Sequence, residues 1–296
     1  MSSGADIPPD WPNRAWSRRI RHRPHDWHVQ EMGSGETLLL LHGAGASTHS
    51  WRDALPRLAQ HHHVVALDLP AQGFTRAGDR RRCGLVAMST DVAALCDAQG
   101  WHPCGIIGHS AGAAIALDLS TRLTAPDGNA PMVIGLNAAL DRFEGIAGWL
   151  FPVLARVLAI NPLTATIFTM GGNPVNRARR LIEGTGSTLD PAGLALYARL
   201  ISDRGHVDGT LRMMAQWDID GLLDRLESLT APCHLITGEN DQAVPPRVSD
   251  RAAQRLPDCT VTHLLGLGHL AHEEDPERVC DLVERIVSEP TPRKTS

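Results

Sequence analysis

With 296 residues, the chain is long enough for one large α/β domain carrying an insertion, or for two modest domains. Its 43% hydrophobic and 21% charged content is ordinary for a soluble globular enzyme. A formal net charge of -5 gives no general pull toward nucleic acid or an anionic membrane, so no nucleic-acid partner is expected. Six cysteines (Cys83, Cys96, Cys104, Cys233, Cys259 and Cys280) form no C-x-x-C pair, which argues against a zinc ribbon or disulfide scaffold and suits a reducing cytoplasm.

The segment Met1–Pro12 is polar and Pro-rich and has no apolar stretch that could act as a secretion signal. Next, Ser17–Arg23 and Trp27–Met32 flank Pro24-His25-Asp26 and read as a hairpin at a sheet edge. Arg14, Arg18, Arg19, Arg21 and Arg23 make this segment basic, with Trp11 and Trp16 nearby. It reads either as a solvated edge strand or as a weak peripheral contact with anionic lipid or a partner protein. The expected location is the cytoplasm, at most peripheral to a membrane.

Buried strands are expected at Thr37–Leu41, Val64–Leu67, Gly105–Gly108, Met132–Asn137, Cys233–Thr237 and Thr260–Leu264. Helical patterns fall between them. In Leu85–Gln99, Leu85, Met88, Val92 and Leu95 share one face, and Gly100 ends the run. Asp275–Val287 repeats the pattern, with Pro276 where a first helical turn tolerates it. This alternation predicts an α/β fold with a mostly parallel central sheet flanked by helices.

Residues Leu140–Gln216 break the alternation. They contain helical stretches separated by Gly171-Gly172, Asn173-Pro174 and Gly184–Ser187, and read as an inserted helical lid. The expected division is therefore core 1–139, lid 140–216 and core 217–296. Ile146–Met170 is mostly apolar, but Pro152, Arg156, Asn161 and Pro162 interrupt it, so it is not a spanning helix. Its large side chains Trp149, Phe151, Leu154, Leu158, Phe168 and Met170 are expected either to wall a hydrophobic substrate or to form the lid's own core.

The chemistry is carried by Gly108-His109-Ser110-Ala111-Gly112, a G-x-S-x-G pattern between an apolar strand and a helix-compatible run. Such a turn exposes Ser110 as a nucleophile and aims the Ala111 N–H at a developing oxyanion. A serine needs a base oriented by a carboxylate. Asp241 follows one strand in Gly238-Glu239-Asn240-Asp241, and His269 follows the last in Gly266-Leu267-Gly268-His269. Asp141, after the preceding strand, is the rival acid. His42-Gly43-Ala44-Gly45 supplies a small-residue loop whose Ala44 N–H is the second expected oxyanion donor, supported by His42. His109 is read as a packing residue. His61-His62-His63 and the trio His269, His272 and Glu273 lack metal-ligand spacing, so neither metal nor cofactor is expected.

In this order the elements resemble the α/β-hydrolase fold family, over about Trp27 to Ile286 outside the insertion. The segments Trp27–Gln30, His42–Trp51 and Gly108–Gly112 also resemble magnesium-chelatase accessory α/β hydrolases of bacteriochlorophyll biosynthesis. That resemblance implies a pathway rather than a substrate, and magnesium chelatase or another pathway enzyme as a partner. Ala71-Gln72-Gly73-Phe74-Thr75 stands where many relatives carry Gly-His-Gly-x-Ser, which weakens substrate analogies with them. The resulting expectation is a serine hydrolase cleaving an ester-type bond in a hydrophobic small molecule. A non-catalytic accessory or scaffold protein is the alternative.

Overall fold

A computed structural model describes residues 7–142 and 172–288. Eight strands form one sheet in the order β1-β2-β4-β3-β5-β6-β7-β8. They are β1 Ser17–His22, β2 His25–Gly33, β3 Thr37–Leu41, β4 His63–Leu67, β5 Pro103–His109, β6 Met132–Leu136, β7 Cys233–Gly238 and β8 Cys259–Leu264. β1 and β2 are the antiparallel edge hairpin, β2 runs antiparallel to β4, and the other pairs are parallel. Every strand expected from the sequence is present within one or two residues at each end.

The parallel strands read as unbroken apolar runs because both of their faces are covered. In β3, Leu39 and Leu41 join the core on one face, while Leu38 and Leu40 join the core on the other. Helices α1 Ala54–Leu58, α2 Leu85–Gln99 and α3 Ala111–Ser120 precede β6. α2 buries Leu85, Met88, Val92 and Leu95 as its spacing predicts, and Gly100 ends it in a left-handed conformation, φ 68°.

Between β6 and β7 the described residues include α4 Pro174–Glu183, α5 Pro191–Leu200 and α6 Arg204–Gln216. Each starts on an Asx side chain that accepts from the first-turn backbone: Asn173 from Val175 N, Asp190 from Gly193 N and Asp203 from His206 N. Proline occupies the first position of α4 and α5, where its missing N–H costs nothing. Ile182, Leu194, Tyr197 and Ala198 of these helices pack with Ala46 and Leu270 of the loops at the strand ends. The short α7 Asp220–Leu223, α8 Arg247–Arg255, α9 Ala271–Glu274 and α10 Pro276–Ser288 complete the chain. Asp275 begins α10 as its cap, its carboxylate accepting from Arg278 N.

The basic hairpin is partly neutralised. Arg18 pairs with Glu31 at 2.5 Å and lies 5.6 Å from the Trp101 ring, and Arg19 donates to the Phe74 carbonyl, while Arg21 and Arg23 are exposed. No helix among the described residues is long and apolar enough to cross a membrane, and Ile146–Met170 lies outside them. His62 and His63 turn to separate carboxylates, Glu284 and Glu31.

Asp68, just past β4, fixes the loops above the sheet. Its buried carboxylate accepts from Thr48 N at 2.6 Å, Phe74 N at 2.7 Å and His28 Nδ1 at 2.7 Å. Burial alone would raise its pKa, but the His28 ring and these donors hold it well below the usual carboxylate range. Gly73, at φ 52°, closes over the carboxylate where a Cβ would overlap it. Asp68→Asn turns an N–H2 toward donors it cannot accept from, so a loss of about 3–5 kcal/mol is expected. Urea denaturation measures this; a loss under about 1 kcal/mol would contradict the assignment.

Candidate active site

The turn from β5 into α3 depends on two glycines. A Cβ on Gly108 would fall 2.5 Å from Ala113 N, and one on Gly112 would fall 2.6 Å from the His42 carbonyl oxygen. Without those side chains α3 can approach the strand ends closely. Ser110 sits between them at φ 52°, ψ −116°, a region L-residues rarely occupy. Three backbone hydrogen bonds hold it there: Ser110 N to Leu136 O at 2.9 Å, and Ala113 N and Ala139 N to Ser110 O at 3.1 and 3.2 Å. Ser110 is half-buried between buried neighbours.

Asp241 and His269 meet across the ends of β7 and β8. His269 Nδ1 donates to Asp241 Oδ2 at 2.8 Å, and Asn137 Nδ2 donates to the same oxygen at 2.7 Å. Oδ1 accepts from Ala243 N and Val244 N, both at 2.8 Å. Four donors thus satisfy a buried carboxylate and orient the imidazole. His269 Nε2 has no hydrogen-bond partner among the described residues. His109 Nε2 donates to the His269 carbonyl at 2.9 Å, which ties the histidine loop to the residue preceding Ser110.

Asp141 does not share this site: it forms an ion pair with Arg251 at the surface. The position after β6 that faces Asp241 belongs to Asn137, fully buried at φ 48°. A polar residue closing an apolar strand is the one sequence signal that could have pointed to Asn137.

The loop carrying Ala44 lies against the serine turn, since a Cβ on Gly43 would fall 3.1 Å from Ser110 Cβ. Neither the Ala44 nor the Ala111 N–H donates a hydrogen bond among the described residues. Four contacts hold the loop. His42 Nδ1 donates to Gly43 O at 2.7 Å, and its Nε2 accepts from Leu69 N at 2.9 Å. Gln72 Oε1 accepts from Gly45 N at 2.7 Å, and His206 Nε2 donates to Gly45 O at 3.1 Å. His206 Nδ1 accepts from Gly73 N, so this ring works only when neutral, and burial lowers its pKa to about 4. Gln72 lies in the loop that departs from Gly-His-Gly-x-Ser; nothing in the sequence marked His206. The apolar residues Trp149, Phe151, Leu154, Leu158, Phe168 and Met170 lie outside the described residues. No three His, Cys, Asp or Glu among the described residues are grouped to hold a metal ion.

Behind His269 lies a buried polar layer. The ring centroids of His109 lie 4.8 Å from those of His269 and 4.5 Å from those of His272. Glu273 accepts from the Tyr197 hydroxyl of α5 at 2.6 Å. Burial raises the Glu273 pKa to about 8 and lowers that of His272 to about 3, so their 3.9 Å approach joins two neutral groups at pH 7. The unfolded chain ionises Glu273 near pH 4.5, whereas the native state keeps its proton to about pH 8. Native stability therefore falls as pH rises through that window. Glu273→Gln keeps the acceptor for Tyr197 and removes the titration, so its Tm advantage over the wild type should grow by several degrees from pH 5 to pH 9. A pH-independent difference would refute the buried neutral acid.

Comparison with known proteins places this geometry in a family. Residues 36–276 match the model of the alpha/beta hydrolase fold family. The chain is 46% identical over 269 residues to the magnesium-chelatase 30 kDa subunit of Rhodobacter capsulatus, covering 90% of this chain and 93% of that one. It is 32% identical to a soluble epoxide hydrolase of Corynebacterium sp. strain C12, covering 71% and 74%. Among solved structures, an epoxide hydrolase without ligand superposes with a TM-score of 0.77 at 21% identity, covering 91% of this chain and 97% of that one. The sheet order, the strained serine turn and these matches agree: the chain belongs to the α/β-hydrolase fold family.

Proposed function

We propose that the protein is a serine hydrolase that cleaves an ester-type bond in a hydrophobic substrate. The observation that carries this is Ser110 at a strained positive φ, next to His109, whose ring bonds the carbonyl of a His269 that is itself held by buried Asp241. His269 Nε2 takes the Ser110 hydroxyl proton as Oγ attacks the carbonyl carbon. The Ala44 and Ala111 N–H groups receive the oxyanion. Collapse of the intermediate breaks the bond to the leaving group, which takes the proton from His269. Water then adds by the same route, yielding the acid and free Ser110. Asp241 keeps Nδ1 protonated and stabilises the transient imidazolium.

A serine also separates this chemistry from the activity in the epoxide hydrolases' names. Covalent opening of an epoxide needs a carboxylate nucleophile, because water can hydrolyse the resulting ester. A Ser110 ether would be a dead end. We read residues 140–216 as a cap, with Trp149, Phe151, Leu154, Leu158, Phe168 and Met170 as its apolar lining on composition alone. The relationship to a magnesium-chelatase subunit supports a place in bacteriochlorophyll biosynthesis with a chelatase as partner, and it also favours a second reading, an accessory protein that binds without catalysis.

A fluorophosphonate probe is expected to label Ser110, and Ser110→Ala to abolish labelling and ester hydrolysis while leaving the Tm unchanged. In a host lacking the gene, a folded Ser110→Ala protein is expected not to restore pigment. Full restoration would favour the accessory reading instead. Asp241→Asn should lower the hydrolysis rate by about 10³–10⁴-fold, the loss seen when a triad acid becomes an amide. Asp141→Asn, at an ion pair with Arg251 on the surface, should leave the rate within about two-fold, as surface substitutions do. The reverse ranking would displace Asp241 as the acid.

A further inference from the structure

The loops that carry Asp241 and His269 are rich in glycine, including Gly238, Gly266 and Gly268, and have little stiffness of their own. Both are tied to one short stretch between α4 and α5. Gln242 N, one residue past the acid, donates to Thr185 O at 3.0 Å. Leu270 N, one residue past the base, donates to Ser187 Oγ at 2.8 Å, with Ser187 1% exposed. The Glu274 carboxylate bridges the same parts, accepting from Gly268 N at 2.9 Å and Thr188 N at 3.3 Å. Contact is close enough to require glycine. Gly186, at φ 84°, lies where a Cβ would overlap the Asn240 carbonyl, and a Cβ on Gly268 would fall 2.6 Å from Ser187 Oγ.

We propose that Thr185–Thr188 is a strap that sets the position of the His269–Asp241 pair, with Ser187 as the positioning residue for the base. This rests on the reading of Ser110, Asp241 and His269 as the hydrolytic machinery. The Ser187 hydroxyl touches no reacting atom; it acts through the Leu270 amide, the next peptide after His269. Removing it leaves a buried N–H without an acceptor and frees the base loop to shift. A shift of about 1 Å at a reacting group costs on the order of 10²-fold in rate. Because the strap joins α4 to α5, the seating of the cap and the alignment of the base are one mechanical unit.

The test is the second-order rate of fluorophosphonate inactivation across pH for the full chain. Variants are Ser187→Ala, Glu274→Ala and, as a control on the exposed side of α4, Leu181→Ala. Asp241, His109 and His272 face His269 and remain in every variant. Ser187→Ala should react about 10–100-fold more slowly than wild type, by the same displacement argument. Its pH midpoint should be displaced, and the Leu270 amide should exchange faster with solvent. Leu181→Ala should match wild type. Glu274 is part-exposed, so Glu274→Ala tests the strap even if Ser187→Ala does not fold, with the same direction of change expected. Wild-type protein that resists the probe would sink the hydrolase reading itself. Labelling of wild type together with unchanged rate and pH midpoint in either folded strap variant would overturn the strap alone.

Discussion

The approach of α3 to the ends of β3 and β5 is the constraint from which the site follows. Backbone meets backbone at Gly108 and Gly112, and no larger residue fits at either place. The helix start is thereby pressed against the strand ends, and the residue between them must turn through a left-handed conformation. Such a conformation costs on the order of 1–3 kcal/mol and persists only where surroundings enforce it. Here the carbonyls and amides of Leu136, Ala113 and Ala139 enforce it. Ser110 thus takes its conformation from this geometry rather than from its own preference, and the Ala44 loop is brought alongside through Gly43.

Polar side chains stabilise the remainder of the site by having their hydrogen-bonding roles fixed. His42 and His206 each donate through one nitrogen and accept through the other, a division open only to neutral imidazole. Burial keeps both rings in that form. Asp68 and Asp241 are the opposite case, carboxylates whose oxygens are surrounded by donors. A rigid frame of satisfied polar groups lets flexible, glycine-rich loops hold defined positions.

How much of this was legible in the sequence depends on the range of each signal. The strands announced themselves because a strand buried on both faces is a continuous apolar run, as in Thr37–Leu41. Asp241 and His269 were singled out because strand-end loops of a parallel sheet lie on one side, so their meeting follows from topology. Asp141 satisfied the same rule and still lies elsewhere, paired with Arg251, because the turn after β6 aims Asn137 inward instead. Asn137, Gln72, His206 and Ser187 went unseen for one reason. Each acts through a hydrogen bond to a segment between 27 and 161 residues away, and no local periodicity encodes such a partner.

The strap has a consequence for how such a chain can change over time. Insertions in a hydrolase are often pictured as interchangeable modules, free to vary in length and sequence while the core keeps its chemistry. Here the stretch between α4 and α5 contributes hydrogen bonds and glycine-only contacts to the loops of the core itself. A lineage could therefore remodel the outer helices for a new ligand with little penalty. It could not exchange the whole insertion without rebuilding the neighbourhood of Asp241 and His269. By its bonds, the stretch that starts at Thr185 belongs with the loops it holds rather than with the helices on either side of it.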